Sequence, residues 1–208
     1  MTKVLDFWKN NSWRKSIFDI IRSHRLELIS MEPALLEALL ARDHTRAAHI
    51  GGFHIPDDLV LSEQTLQRRL RQLRTRPEIQ PWLLRAIVIR RSQTMCGRIG
   101  FHSEPSPEDL RHVAADGVEL GYAVGESFRR RGFAKEAAIA LMKWAFEKHR
   151  RRCFVLSINP SNEASLAMAH SLGFREMGSH IDERDGLELY FERRLDRWPE
   201  AWTTNEVG

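Results

Sequence analysis

Cysteine is scarce in this chain, and its scarcity excludes functions that depend on it. The 208 residues include only two cysteines, Cys96 and Cys153. Both lie in strand-like apolar runs, and neither belongs to a cluster of cysteines and histidines with the spacing of metal ligands. A disulfide framework and a zinc site are therefore not expected. We predict two thiols in the core and no metal.

Long hydrophobic runs are also missing. Charged residues interrupt every apolar stretch, so no segment reaches the roughly 20 apolar residues of a membrane-spanning helix. The start of the chain, Met1 to Lys9, lacks the uninterrupted apolar block of a secretory signal. The sequence thus predicts a cytoplasmic protein without a membrane span. Its 42% apolar content suffices for a substantial core, and we expect one domain.

No strong charge excess is present either. The 32 Lys and Arg residues face 28 Asp and Glu residues, a formal net charge of +4. A basic surface can indicate nucleic-acid binding, but the basic residues lie in three separate clusters, at 68–76, 129–131 and 150–152. One compact polyanion, such as a nucleotide-like cofactor, would account for the middle cluster, and solvated helix ends would account for the others. Nucleic acid is therefore a weakly supported partner.

The two ends of the chain have patterns of their own. Near the N-terminus, apolar residues recur at helical spacing among basic ones: Trp13, Ile17, Ile20 and Ile21. We predict an amphipathic helical extension over 1–24, whose role is packing on the domain, membrane-surface docking or a subunit contact. In a C-terminal tail over 196–208, Trp198 and Trp202 would also suit the contact of a homodimer.

Between these ends, residues 25–195 alternate between strand and helix patterns. Short apolar and alternating runs predict strands at 25–29, 82–89, 95–101, 117–124, 153–158 and 187–191. Apolar residues at helical spacing predict helices at 33–41, 62–76, 134–147 and 162–172. In the third helix, the polar residues predicted to face water are Lys135, Glu136, Lys143 and Glu147. This order predicts an α+β fold: a mixed, mostly antiparallel sheet flanked by helices, with one parallel pair around the helix at Ala134.

An arginine-glycine loop joins the strand that ends at Val124 to this helix. The first N–H groups of a helix lack intrahelical acceptors and carry the positive end of the helix dipole. Gly132 has no Cβ to obstruct a phosphate and permits a positive φ, and three arginines add charged donors. The loop matches neither the Walker A sequence nor the Gly-x-Gly-x-x-Gly dinucleotide fingerprint. These residues alone fit a phosphate site and a solvated helix start equally well.

Two blocks of the sequence resemble the GNAT superfamily of N-acetyltransferases. The spacing Val124, four residues, Arg129, two residues, Gly132, one residue, Ala134 resembles motif A of that superfamily. Downstream, Asn159-Pro-Ser-Asn162-Glu-Ala-Ser165 followed by Gly173-Phe174 is similar to a helix of the branch that acetylates ribosomal-protein amino termini. The two blocks occur in the expected order and at the expected distance. The resemblance implies a GNAT-type sheet and acetyl-CoA as the donor substrate.

The resemblance also implies which residues hold the cofactor. Pantetheine would lie between two splayed strands and bond to the backbone of Ala123 and Val124. The pyrophosphate would be cradled by the loop, whose implied binding residues are Arg129, Arg130, Arg131, Gly132, Phe133 and Ala134. Asn162 and Ser165 would reach pantetheine or the thioester from the following helix.

Acetyl transfer from a thioester to an amine needs a neutral amine and a stabilised oxyanion. An alkylamine has a pKa near ~10.4, so a base or a water chain must remove its proton. The resemblance implies that Glu119, on the strand leading to the thioester, is that base. A structural Glu119 paired with a neighbouring arginine is the alternative. The backbone N–H of Val124 would serve the oxyanion.

The general acid departs from the superfamily's pattern. Many members place a tyrosine in the helix before Gly-Phe, where this chain has Ala169. Ser165, through its hydroxyl or a bound water, is the substitute that we expect. His102, at the end of a strand, and His54, in a loop, either line the acceptor pocket or are structural.

These observations predict an acetyl-CoA-dependent N-acetyltransferase that moves the acetyl group to a primary amine by direct attack. The acceptor is a protein N-terminus or a small amine, and analogy between folds does not choose between them. The alternatives are a non-catalytic CoA-binding regulatory module and a nucleic-acid-binding protein that uses residues 68–76.

Overall fold

The computed structural model describes residues 20–105, 110, 114–182 and 186–203. The chain divides into two compact units, which we describe separately. The first comprises the chain up to Ile99 together with Tyr122–Ala137, and the second comprises Gly100–Gly121 and the chain from Ala138 onward. Each unit combines segments that are distant in the chain, and the single domain expected from the sequence stays a prediction.

The strands of the first unit form an antiparallel meander. The strands are β1 (Ile21–Arg22), β2 (Leu26–Ser30), β3 (Arg85–Ile89) and β4 (Thr94–Phe101), whose last two residues belong to the second unit. Leu28 pairs with Ile87, and Ile89 pairs with Thr94 across a tight turn. β3 and β4 therefore form a hairpin, and the predicted strands at 82–89 and 95–101 are confirmed with somewhat different bounds. The predicted N-terminal helix lies largely outside the described residues, and Ile21–Arg22 within it form a strand.

Three helices pack on this meander. They are α1 (Pro33–Leu40), α2 (His44–Gly51) and α3 (Glu63–Thr75), and a 3-10 turn follows at Pro77–Trp82. Ser62 begins α3 by accepting a hydrogen bond from the N–H of Thr65, as Ser at a helix N-cap commonly does. Buried apolar residues of helices and strands form one core: Leu35, Leu36, Ala38, Phe53, Leu66, Leu73, Ile79, Ala86, Val88 and Met95.

Helix α2 was not predicted from the sequence. Asp43 begins this helix by accepting a hydrogen bond from the N–H of Arg46 at 2.9 Å. Gly52 ends it in the left-handed region, with φ of 71°. Both are standard helix boundary signals, so the sequence did contain the information. The helix has a single buried residue, Ala47, and this gives it almost no apolar stripe.

The second unit contains the parallel pair. The strands, in spatial order, are β5 (Val118–Val124), β6 (Cys153–Ile158), β8 (Gly186–Arg194) and β7 (Arg175–Asp182). The β5–β6 pair is parallel, whereas β6–β8 and β7–β8 are antiparallel. The helices are α4 (Phe133–His149), α5 (Glu163–Ser171) and α6 (Glu200–Thr203). The first five residues of α4 and the last three of β5 belong to the first unit.

This arrangement confirms the predicted α+β class, with a mixed, mostly antiparallel sheet, flanking helices and a parallel pair joined through the helix that contains Ala134. Strand β7 was not predicted, because most of its side chains are exposed and give no alternation of apolar and polar residues. In the tail, Trp198 packs on Phe146 and Trp202 at ring distances of 5.6 and 5.2 Å.

Candidate active site

The arginine-glycine loop has a defined backbone path. The N–H of Gly125 donates to the carbonyl of Cys96 on β4 at 2.9 Å, and a 3-10 turn follows at Glu126–Phe128. Arg130 and Gly132 then adopt positive φ values of 59° and 76°. Two left-handed residues separated by one residue turn the chain sharply into α4. Glycine tolerates this region freely, which explains Gly132.

The backbone N–H groups of this loop are available. Within the part of the chain that the structure describes, those of residues 130–135 donate no hydrogen bond. Arg130, Arg131 and Gly132 are exposed, and Phe133 is buried and anchors the start of α4. A 17-residue helix begins here, so its dipole adds positive potential to these donors. The loop is thus a concave set of N–H donors of the kind that binds phosphate.

Ser23 and Arg25, just before β2, contact Glu136 and the loop and hold them in place. We call this set of contacts the brace. Glu136, in the first turn of α4, accepts hydrogen bonds from the Ser23 hydroxyl at 2.7 Å and from the Arg25 backbone and Nε at 2.7 and 2.6 Å. Nη1 of Arg25 donates to the carbonyl of Arg131 at 3.0 Å, and its guanidinium lies 4.8 Å from the Phe133 ring. Glu136 was predicted to face water, which is wrong: its side chain is only 15% exposed.

The strand end before the loop lies against β4. A Cβ built on Gly97 would come within 2.3 Å of the carbonyl oxygen of Ala123 and 2.9 Å of the Cα of Val124. Glycine at 97 therefore permits a close approach of the two backbones. Ala123 is exposed and Val124 is half-buried, so a ligand can reach both residues.

In the second unit, β5 and β6 pair over a short distance only. Val118 pairs with Phe154 and Glu119 pairs with Val155. Both strands continue further, but no pairing between them is described for Leu120 and Gly121. Such a divergence leaves backbone N–H and C=O groups that an extended ligand can use.

Glu119 is the last residue of β5 that pairs with β6, and its side chain forms hydrogen bonds with neighbouring residues. Nδ1 of His102 lies 3.2 Å from Oε1 of Glu119, and the hydroxyl of Ser157 on β6 also donates to this carboxylate. The backbone N–H of His102 donates to the carbonyl of Glu119 at 2.8 Å. Glu119 is only 9% exposed, whereas the His102 side chain is 37% exposed. The described partners of the Glu119 side chain are a histidine and a serine rather than an arginine.

Opposing effects act on the pKa of Glu119. Burial raises it, but the charge and hydrogen bond of His102, the hydrogen bond of Ser157 and the charge of His180 together outweigh burial. The pKa is therefore lowered from its ordinary value, and the carboxylate is ionised at neutral pH. A lowered pKa weakens Glu119 as a base at neutral pH.

The lowered pKa predicts a specific dependence of stability on pH. A carboxyl whose folded pKa lies below its unfolded value stabilises the fold above that unfolded value, ~4.3 for glutamate, and loses this contribution as pH falls through the folded pKa. Urea unfolding should show Glu119→Gln to be less stable than wild type at pH 7. We expect the difference to shrink toward pH 3. A difference that stays constant over this range would contradict the assignment.

His180 also lies close enough to Glu119 to lower the pKa of its carboxyl. His180 on β7 stacks on the Tyr190 ring of β8, with centroids 4.1 Å apart and an interplanar angle of 9°. Nε2 of His180 also lies 3.8 Å from a carboxylate oxygen of Glu188. Tyr190 is paired in register with Ser157, so β8 places this stack beside β6. We refer to His102, Glu119, Ser157 and His180 as the Glu119 cluster.

Asn162 and Ser165 are adjacent at the start of α5. Oδ1 of Asn162 accepts a hydrogen bond from the N–H of Ser165 at 3.1 Å, which is the N-cap of this helix. Asn162 is exposed and Ser165 is half-buried, so both are accessible. Ala169, which occupies the position of the expected tyrosine, is fully buried. The sequence block therefore has a structural role as a helix cap in addition to the role implied by resemblance.

The two cysteines are not candidates for chemistry. Both are free and buried, and burial is the main cause that raises the pKa of each thiol to about 12. A thiol with such a pKa is almost entirely protonated at neutral pH and is a poor nucleophile. Among the described residues, no group of three or more acidic, cysteine or histidine side chains could hold a metal ion. No described helix is long and apolar enough to cross a membrane.

Comparison with known proteins now identifies the class. Residues 25–175 match the family model described as an acetyltransferase (GNAT) domain. The chain is 23% identical over 159 residues to the uncharacterized N-acetyltransferase YjdG of Bacillus subtilis (strain 168), covering 74% of this chain and 89% of that protein. The chain therefore belongs to the GNAT family of acetyltransferases, the class of enzymes whose donor is acetyl-CoA.

Solved structures show the same fold. A GNAT-family acetyltransferase from Bacillus anthracis matches with a TM-score of 0.57 and 18% identity, covering 85% of this chain and 98% of that one. RimL, a ribosomal L7/L12 alpha-N-protein acetyltransferase in complex with coenzyme A, matches with a TM-score of 0.58 and 19% identity, covering 86% and 99%. The resemblance of the sequence to this superfamily is thus confirmed, and RimL shares its fold.

Proposed function

We propose that this acetyltransferase moves the acetyl group of acetyl-CoA to a primary amine by direct attack, with the pyrophosphate held by residues 129–134. The observation that carries this proposal is the row of unbonded N–H groups over 130–135, at the start of a long helix and beside a bracing Arg25. Each such donor would form a charge-assisted hydrogen bond with a phosphate oxygen. A helix start that was merely exposed to water would not require the left-handed conformation at Arg130.

The remaining cofactor contacts follow from the accessible residues before and after the loop. Ala123 and Val124 would offer backbone groups to pantetheine, and the N–H of Val124 would stabilise the oxyanion. Asn162 and Ser165 would contact the pantetheine arm, with Ser165 as the acid or water ligand near the leaving thiolate. These roles rest on the family's motifs together with the exposure of the side chains.

The acceptor that we propose is a protein amino terminus, with a small amine as the second candidate. RimL, whose fold matches, is described as acting on a ribosomal protein's α-amine. The catalytic domain would span 25–195, with a tail at 196–208; upstream of it, Ile21–Arg22 form a strand rather than part of the helix expected over 1–24. Free, buried thiols suit a reducing compartment such as the cytoplasm.

Turnover is the decisive test of this function. Purified protein would be mixed with acetyl-CoA and a panel of peptides and small amines, with release of CoA thiol and mass of the product as the two readouts. We expect a mass gain of one acetyl group on peptides with a free amino terminus. Peptides with a blocked amino terminus are the matched control. If acetyl-CoA raises the melting temperature while no amine yields thiol, the protein is instead a CoA-binding regulatory module.

A further inference from the structure

We infer that His102 accepts the proton of the attacking amine and that Glu119 positions the His102 ring. This inference deepens the proposed function and rests on it. It reverses the expectation that Glu119 itself is the base. Three features of the second unit support it: the contact between the two side chains, the position of the imidazole along β5, and the exposure of each residue.

The imidazole lies along one face of β5. Its Nδ1 lies 3.2 Å from Oε1 of Glu119, and a Cβ built on Gly121 would come within 2.5 Å of its Nε2. Positions 119 and 121 share a face of the strand, because side chains alternate. The ring therefore reaches from Glu119 to Gly121, the residue at which β5 no longer pairs with β6. Nε2 is thus brought to the diverging part of the strand, whereas the carboxylate stays at the paired part.

The absence of a side chain at Gly121 makes this placement possible. Real Cβ atoms do not approach other heavy atoms to 2.5 Å, so any larger residue would displace the ring. The φ of Gly121 is not in the left-handed region, so backbone conformation does not explain the glycine. The close approach of His102 does explain it.

The two residues differ in the way that a base and its positioning partner should differ. Glu119 is 9% exposed and accepts hydrogen bonds from His102 and Ser157. His102 is 37% exposed at its side chain and so can meet an incoming amine. A carboxylate that accepts from Nδ1 sets the tautomer in which Nε2 has the lone pair. In general, an imidazole accepts a proton near neutral pH more readily than a carboxylate with a lowered pKa, such as that of Glu119.

The described charged and polar groups around the ring come from four strands. Glu119 on β5 faces the ring directly, Ser157 on β6 is neutral, and His180 on β7 is close enough to lower the pKa of Glu119. Glu188 on β8 lies 3.8 Å from His180. Among the contacts of His102 that the structure describes, Glu119 places a negative charge beside the ring that would receive the proton.

In the reaction, His102 takes one of the two protons that the attacking nitrogen loses. The acceptor arrives as an ammonium ion and gives one proton to Nε2 of His102, forming an imidazolium beside Glu119. The neutral amine forms a C–N bond with the thioester carbon, and the C–S bond breaks with its electron pair on sulfur. The nitrogen loses a second proton, which ends on the CoA thiolate. His102 then releases its proton to water.

The test compares three single variants with wild type over a range of pH. Positioned proton transfer contributes roughly 10²–10⁴-fold, so we expect His102→Gln to lower kcat about 100-fold. The acidic limb of its pH–rate profile should disappear, and its Kd for acetyl-CoA should stay within about twofold of wild type. Glu119→Gln keeps an oxygen that can accept from Nδ1, and we expect about a tenfold loss of kcat with the acidic limb retained. Gly121→Ala should lower kcat without removing any functional group.

His44→Gln is the matched control. His44 in the first unit has a side chain that is likewise 37% exposed, and its Nδ1 lies 3.6 Å from a carboxylate oxygen of Asp57. We expect this variant to keep the kcat and pH profile of wild type. A His102→Gln enzyme with an intact acidic limb, together with a larger loss in Glu119→Gln, would make Glu119 the base and overturn the inference. Wild-type turnover separates these outcomes from failure of the proposed function, because an inactive wild type overturns both.

Discussion

Gly132→Glu is expected to raise the Kd for acetyl-CoA by about 100-fold or more. The new carboxylate would stand among the N–H donors proposed to hold the pyrophosphate and would repel its charge. Loss of two hydrogen bonds to a charged group costs about 3 kcal/mol at the low end of the usual range, and each ~1.4 kcal/mol is a tenfold change in affinity. Isothermal titration with CoA and acetyl-CoA measures the change directly.

Gly186→Glu is the control for backbone strain. Gly186 has a φ of 77°, almost equal to the 76° of Gly132, and a Cβ built on it meets nothing within 4 Å. The two variants thus impose the same left-handed conformation and the same added charge, at different places. We expect Gly186→Glu to bind acetyl-CoA as wild type does. An unchanged Kd for acetyl-CoA in Gly132→Glu would show that this loop does not bind the pyrophosphate.

The second large effect is expected from Glu136→Ala, which removes the brace of the loop. Three donors, from Ser23 and Arg25, would lose their common acceptor. Hydrogen bonds to charged groups are worth about 1.5–3 kcal/mol each, and partial solvation of the freed donors reduces the sum. We expect the free energy of unfolding to fall by about 3 kcal/mol, which lowers the Tm of a domain of this size by roughly 6–12 °C. Calorimetry or urea unfolding provides the measurement.

Glu147→Ala provides the comparison on the same helix. Glu147 is 54% exposed and lies 4.0 Å from Lys143, an ordinary surface pair. Such pairs contribute about 0.3–0.5 kcal/mol, so this variant should unfold close to wild type. If the two variants were equally stable, Glu136 would have only the solvated role that its sequence position suggested.

The features that the sequence predicted well have local signals. The positive φ at Gly132 and the helix that follows Asn162 each depend on a short run of the chain, because glycine and helix-forming residues act within a few positions. The alternation of strands and helices is also local, so the α+β class and the parallel pair were predicted correctly.

The features that it missed join distant parts of the chain. Arg25 and Glu136 are 111 residues apart, and no pattern in either segment indicates the other. His102 and Glu119 face each other because of the register of two strands, and register depends on loops and packing rather than on residue type. The sequence therefore made Glu119 a candidate for the chemistry, but gave no means of identifying its partner.

The brace at the start of β2 also bears on where the working domain begins. The family match starts at residue 25, yet the hydroxyl of Ser23 is one of the three donors to Glu136, and β1 pairs with β2 just before it. A shortened protein that began at residue 25 would contain both sequence blocks but would lose that donor and an edge strand. Among the described residues, the support of the loop therefore extends at least to Ile21, upstream of the first residue that the family model matches.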